Sequence, residues 1–164
     1  MTLRDKFLGE LQKLLGQTNR RITVAEGLRT LRCEVDQCNP MATAVYEFVL
    51  QTSELTHVEI AVLQQASQAL CDRVNYLLEP ISPIETDHES CIVQMRSNPP
   101  LANDSGRSYY EIFLRRGGSI ALSRFEKQPG EIRTRVPLTL THEVLGRLCE
   151  DFSATIDEVL ASSI

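Results

Sequence analysis

One stretch of the sequence restricts the fold more than any other: two alternating runs joined by a pair of glycines. The runs are residues 109–116 and 119–126, and Gly117-Gly118 lies between them. Alternation with a period of two is typical of half-buried strands, and glycine tolerates the positive φ that tight hairpin turns require. A glycine-rich phosphate loop would need a helix after the glycines, whereas a strand follows here. The stretch therefore predicts a β-hairpin within an antiparallel sheet.

The length of the turn decides which face of this hairpin is buried. A two-residue turn places Arg116 opposite Ser119 and Glu111 opposite Arg124, the latter an opposite-charge pair. A three-residue turn shifts the register by one residue and so exchanges the faces of one strand. It would group on one face the side chains of Tyr110, Ile112, Leu114, Ile120 and Leu122. The sequence predicts the hairpin and leaves its register open.

Three segments have the apolar period of helices. Residues 3–15 and 142–160 each carry an apolar stripe, and Thr141 precedes the second as an N-cap. Residues 56–78 keep the same period for about six turns. This segment begins with Thr56 and Glu59 in capping-box spacing and ends before Pro80. We expect it to be a long central helix.

The other apolar segments predict strands, namely residues 28–35, 44–50, 84–87, 91–96 and 132–138. Residues 28–36 also fit a helical period, so strand and helix both remain open there. The predicted fold is α+β: an antiparallel sheet of about six strands with the long central helix on one face and a helix at each terminus. The predicted order is roughly α-β-β-α-β-β-β-β-β-α, in a single domain of residues 1–164.

Charge is distributed unevenly along the chain. The whole sequence has 17 Lys and Arg against 22 Asp and Glu, and its net charge of -5 opposes binding to nucleic acid. Residues 91–136, however, contain eight basic and four acidic residues, a local charge of +4. We therefore expect a mildly basic sheet between acidic helices.

The cysteines suggest neither disulfides nor a metal site. Five of them are scattered along the chain, and Cys33 and Cys38 have no second Cys or His pair at zinc-site spacing. On a regular strand their spacing also points the two sulfurs to opposite faces. No apolar run approaches the ~20 residues that span a bilayer. We expect a cytoplasmic protein with reduced thiols, no metal, no cofactor and no membrane contact.

A candidate interaction surface combines aromatic residues and arginines from the predicted sheet. Its members are Tyr109, Phe113, Arg115, Arg124, Arg133 and Arg135. Aromatic residues and arginine are enriched in protein interfaces, and exposed aromatics beside arginines also stack nucleic-acid bases. The histidines at positions 57, 88 and 142 belong to no catalytic motif, so no catalytic residue is predicted.

The predicted function is that of a non-catalytic interaction module, a homodimer that binds a protein partner. Two alternatives remain open. One is an enzyme or small-ligand binder with a pocket between helix and sheet. The other is a single-stranded nucleic-acid binder that uses the Arg/aromatic face, although nucleic acid is the less expected partner. The sheet face that the helices leave uncovered discriminates among them.

Overall fold

A large sheet dominates the computed structural model, which describes residues 1–162. The helices are α1 (Leu3–Lys13), α2 (Ile60–Arg73) and α3 (His142–Ser162), and a short 3-10 helix spans Ser53–Leu55. The last two residues of the expected domain lie outside this description. The strands within it are β1 (Thr18–Glu26), β2 (Arg29–Cys38), β3 (Ala42–Thr52), β4 (Ile81–Asp87), β5 (Ile92–Ser97), β6 (Leu101–Asn103), β7 (Gly106–Arg115), β8 (Ser119–Lys127), β9 (Thr134–Val136) and β10 (Leu138–Thr141).

All of these strands form one antiparallel sheet, whose main order is β1-β2-β3-β8-β7-β5-β4. Two strands share the same edge of β3: its residues 48–51 pair with β8, and its residues 42–45 pair with β10. β9 pairs with residues 124–126 of β8. The segment from β9 to β10 therefore fills the space where β3 and β8 diverge, and it turns at Pro137, which has no amide to donate.

The predicted fold class is confirmed: the protein is α+β, with an antiparallel sheet, a helix in the middle of the chain and a helix near each end. The described sheet has ten strands rather than about six. Residues 28–36, for which strand and helix remained open, belong to β2 and its preceding turn. The predicted strand at 132–138 is divided into β9 and β10, and β1 and β6 are additional.

The core lies between the sheet and the three described helices. Phe48 on β3 contacts Phe7 of α1 and Phe152 of α3, with edge-on ring centroids 5.7 and 5.4 Å apart. α2 packs beside α3 and covers β4, β5 and β7. Met95 and Ile112, paired neighbours on β5 and β7, are completely buried beneath it. The helices thus cover one face of the sheet.

The helix boundaries differ from the prediction at the centre of the chain. α2 begins after Glu59, whose side chain forms no cap, so the expected capping box at Thr56 and Glu59 is absent; a capping box is formed instead by Thr2 and Asp5 of α1. Thr141 caps α3 as predicted, by accepting a hydrogen bond from the Val144 amide. No helix in residues 1–162 is both long and apolar enough to cross a membrane.

The predicted hairpin is formed by β7 and β8 with the three-residue turn. Arg115 pairs with Ser119, and Tyr110 pairs with Arg124, so Glu111 lies opposite Ser123 rather than Arg124. Gly118 explains this register. It has a φ of 101°, and its carbonyl accepts a 2.7 Å hydrogen bond from the Thr52 amide of the neighbouring strand. A Cβ at this position would lie 2.0 Å from the Thr52 carbonyl oxygen, so only glycine fits.

Candidate functional site

The face of the sheet opposite the helices, hereafter the open face, presents charged and aromatic side chains. Because side chains alternate along a strand, the residues of β7 and β8 that do not face the helices all lie here. The open face is lined by arginines, a lysine, aromatic rings and a few carboxylates: Arg32, Glu34, Glu47, Gln94, Arg96, Arg107, Tyr109, Glu111, Phe113, Arg115, Phe125, Lys127, Arg133 and Arg135.

Glu111 lies at the centre of this face and is completely buried. Its Oε2 accepts hydrogen bonds from Gln94 Nε2 at 2.9 Å, Arg96 Nη2 at 3.1 Å and Arg133 Nη1 at 2.7 Å. Its Oε1 is buried without a hydrogen-bond partner among the described residues. A single carboxylate therefore holds two guanidinium groups in fixed positions.

Guanidinium groups of the open face lie over aromatic rings. Arg96 lies 4.5 Å from the ring centre of Tyr109, and Arg133 lies 3.8 Å from that of Phe125. Arg115 covers Phe113 at 4.6 Å. Tyr109 and Phe125 are only 7% and 9% exposed, so the rings form a platform beneath the arginines rather than a free surface.

A second carboxylate continues this arrangement towards β2 and β3. Glu47 accepts hydrogen bonds from Arg32 Nη2 and from Arg135 Nη1, each at 3.0 Å. Glu34, next to Glu47 across the strands, is paired with Arg21. The acidic residues in this half of the face are thus neutralised by arginines.

Three cations of the open face, Arg107, Lys127 and Arg115, have no acidic partner among the described residues. Arg107 and Lys127 lie directly opposite each other on β7 and β8, and neither forms an ion pair with any described residue. Both line a cavity of about 270 Å³ together with Arg96 and Tyr109. The remaining lining residues are uncharged: Ile84, Ser97, Asn98 and Pro100.

The opposite end of the same face carries two carboxylates near Arg115. Glu85 and Asp87 of β4 line a cavity of about 170 Å³ with Phe113. The Ser90 and Glu89 amides donate hydrogen bonds to Asp87, which lowers the pKa of that carboxyl below its usual value. The open face is therefore basic at one end and mixed in charge at the other.

Five of the six predicted interaction residues lie together on the open face: Tyr109, Phe113, Arg115, Arg133 and Arg135. Arg124 does not join them, because the three-residue turn places it on the helix side. There its Nη1 lies 2.9 Å from Glu79 Oε2 and its guanidinium stacks on Tyr110. The predicted interaction surface lacked four residues of the open face: Glu111, Arg96, Arg107 and Lys127. The sequence contained one indication of Glu111: it is the single carboxylate in the predicted strand of residues 109–116.

The cysteines are placed differently from the regular-strand expectation. Extra residues at Asp36 in β2 and Tyr46 in β3 form bulges, and the first returns Cys38 to the same side as Cys33. Both are buried, and burial raises the pKa of the Cys33 thiol far above its ordinary value. In the described chain no three His, Cys, Asp or Glu side chains are grouped so that they could hold a metal ion.

No protein-family model matches this chain, and no match was found among curated proteins or solved structures.

Proposed function

We propose that this chain is a non-catalytic interaction module that binds an acidic segment of a protein partner on the arginine-covered open face of the sheet. The observation that carries the proposal is the concentration of arginines over aromatic rings on this face of a protein whose net charge is -5. A guanidinium presents several donors in one plane, and this geometry matches a carboxylate. Stacking on a ring orients that plane before a partner arrives.

The charge distribution supports an orienting role for this face. Residues 91–136 carry an excess of four positive charges, whereas residues 137–164 contain one basic and five acidic residues. The second group belongs mainly to α3, on the covered side of the sheet. Opposite charges on opposite sides attract an acidic segment to the open face and repel it from the helices.

The covered aromatic rings favour a polypeptide over a single-stranded nucleic acid. A base that stacks on a protein needs an accessible ring face. Here Arg96 covers Tyr109 and Arg133 covers Phe125, and both rings are buried. A base would have to displace these guanidiniums, whereas a carboxylate could bind to their exposed edges.

Fluorescence anisotropy with a labelled peptide tests the proposal. The probe alternates glutamate with leucine, and a matched peptide has glutamine in place of glutamate. We expect only the acidic peptide to bind, with an affinity that decreases steeply as salt is added. The Arg115→Gln/Arg135→Gln variant should bind several-fold more weakly. Arg20→Gln, which removes an exposed arginine from β1, is the matched control.

Two results would contradict the proposal. In one, the double variant binds the acidic peptide as tightly as the wild type. In the other, a single-stranded oligonucleotide binds more tightly than the peptide and competes with it, which would replace the protein partner by a nucleic acid.

The homodimer and the cytoplasmic location stay predictions. Light scattering over a concentration series tests the first: a homodimer has twice the 18.5 kDa mass of the chain. A mass that stays at 18.5 kDa at every concentration would remove it.

A further inference from the structure

The facing pair of Arg107 and Lys127 is unfavourable in the free protein. Like charges directly opposite each other on adjacent strands repel and destabilise the pairing of the strands. The neighbouring acidic residue, Glu126, is next to Lys127 in sequence and therefore points to the other face; its carboxylate accepts a hydrogen bond from Gln128. Within residues 1–162 neither cation has an ion-pair partner.

A third cation faces the same cavity. Arg96 is held by Glu111, but that one carboxylate is shared with Arg133, so the group as a whole retains positive charge. The cavity thus combines three cations and no lining carboxylate.

The surroundings of the facing pair suit an extended chain. Arg107 and Lys127 also line a second cavity of about 240 Å³, beside Asn103, Gly106 and Pro129. The pair therefore lies between two shallow depressions, and a segment can pass over it. Gly106 permits the close approach of the strands here, because a Cβ would lie 2.5 Å from the Lys127 carbonyl oxygen.

We propose that Arg96, Arg107 and Lys127 form a binding site for an oxyanion of the partner segment, either a carboxylate or a phosphate group. This inference rests on the proposed function for the identity of the partner, while the site itself is defined by the three cations. Ile84, Pro100 and the edge of Tyr109 form an apolar wall that accommodates a neighbouring aliphatic side chain. The bound anion neutralises the repulsion between Arg107 and Lys127.

An NMR titration with inorganic phosphate tests the site without any peptide. Phosphate is added at constant ionic strength, with chloride as the compensating anion. We expect saturable shifts of the amide signals of Ser97, Arg107 and Lys127. These shifts should disappear in Arg107→Gln/Lys127→Gln and persist in Arg116→Gln, which removes an unpaired arginine from the turn at the other end of the same hairpin. If the double variant does not fold, the single variant Lys127→Gln replaces it in the phosphate titration.

Peptides distinguish the two sources of the oxyanion. One neutral sequence is prepared with phosphoserine, glutamate or glutamine at its centre. We expect the double variant to lose about tenfold in affinity for the phosphoserine or the glutamate peptide, since charge-assisted bonds are removed. The peptide that shows the larger loss identifies the group that the site prefers.

Several outcomes would overturn the inference or separate it from the proposed function. Absence of a saturable phosphate shift in the wild type, or the same shift in the double variant, overturns the site. If acidic peptides bind the wild type and the double variant equally, the site is wrong while the proposed function stands. If phosphate binds at these residues but no acidic peptide binds, the proposed function fails and the oxyanion site stands.

Discussion

Arg133 and Glu111 form the central ion pair of the open face, with Arg133 Nη1 2.7 Å from the buried Oε2 of Glu111. The two residues come from different parts of the chain, a loop before β9 and the middle of β7. Arg96 shares the same oxygen from the other side. Glu111 therefore connects three segments of the chain and fixes the positions of two guanidiniums that stack on aromatic rings.

Replacement of Glu111 should destabilise the fold. In Glu111→Ala, Arg96 and Arg133 lose their shared acceptor. We expect the free energy of unfolding to decrease by about 2 kcal/mol. The decrease is no larger because water reaches one side of each guanidinium and partly replaces the lost acceptor. Urea denaturation measures the change. A decrease below about 0.5 kcal/mol, the size expected for an ordinary surface substitution, would show that the ion pairs contribute little.

The turn of the hairpin offers a matched pair of glycines. Gly118→Ala should lose at least about 2 kcal/mol, because alanine is strained at positive φ and its Cβ would meet the Thr52 carbonyl oxygen. Gly117→Ala has no atom within 4 Å of its Cβ and should change stability by less than about 0.5 kcal/mol. Thermal unfolding of both variants checks this. Equal losses would contradict the account of the register.

Phe48 should contribute more to stability than the aromatic residues of the open face. Phe48→Ala removes a fully buried ring that contacts Phe7 and Phe152, and we expect a loss of about 3 to 5 kcal/mol. Phe113→Ala, on the half-buried ring beneath Arg115, should cost about 1 kcal/mol. Chemical denaturation compares the two. A similar loss for both would argue against a core on the helix side alone.

The hydrogen bonds from Arg29 to Glu54 predict a contribution to the free energy of unfolding that depends on pH. Arg29 donates hydrogen bonds to Glu54, and this lowers the pKa of that carboxyl below its ordinary value of 4.5, against an opposing effect of burial. A carboxyl with a lowered pKa in the folded state stabilises the fold above its unfolded pKa and loses that contribution as the pH falls. The stability difference between wild type and Arg29→Gln should therefore be larger at pH 7 than at about pH 3. A constant difference, measured by urea unfolding with Arg20→Gln as control, would contradict this.

Repulsion between Arg107 and Lys127 predicts that one substitution will stabilise the free protein. Lys127→Gln should raise the free energy of unfolding at low salt by about 0.2 to 1 kcal/mol. The gain should shrink as salt screens the charges. Thermal melts in the absence of phosphate, at low and high ionic strength, check the sign. A destabilised variant at low salt would show that Lys127 has a favourable partner.

The sequence predicted the existence of the elements better than their registers and boundaries. Alternation was sufficient to predict the β7–β8 hairpin, but its register depends on the contact between Gly118 and Thr52, which are far apart in sequence. The same shift moved Arg124 to the helix side. β1 was missed because only Ile22 and Val24 of its residues are buried.

The central helix was predicted too long for a related reason. Val74 and Leu77 continue the apolar period beyond Arg73, but they enter the core from an irregular segment. The bulge at Asp36, which reverses the side of Cys38, likewise leaves no mark in the residue pattern. The open face could be anticipated from its arginines and aromatic rings, whereas Glu111, which holds them in place, could be recognised only once the strands were paired.

The most direct test of the account is a map of where an acidic peptide binds. Amide signals of the wild-type protein are followed by NMR as the glutamate-leucine peptide is added. We expect the shifts to concentrate on β5, β7, β8 and the segment before β9, where Arg96, Arg107, Lys127 and Arg133 lie. Shifts confined to α2 and α3, or no saturable shift at all, would contradict it.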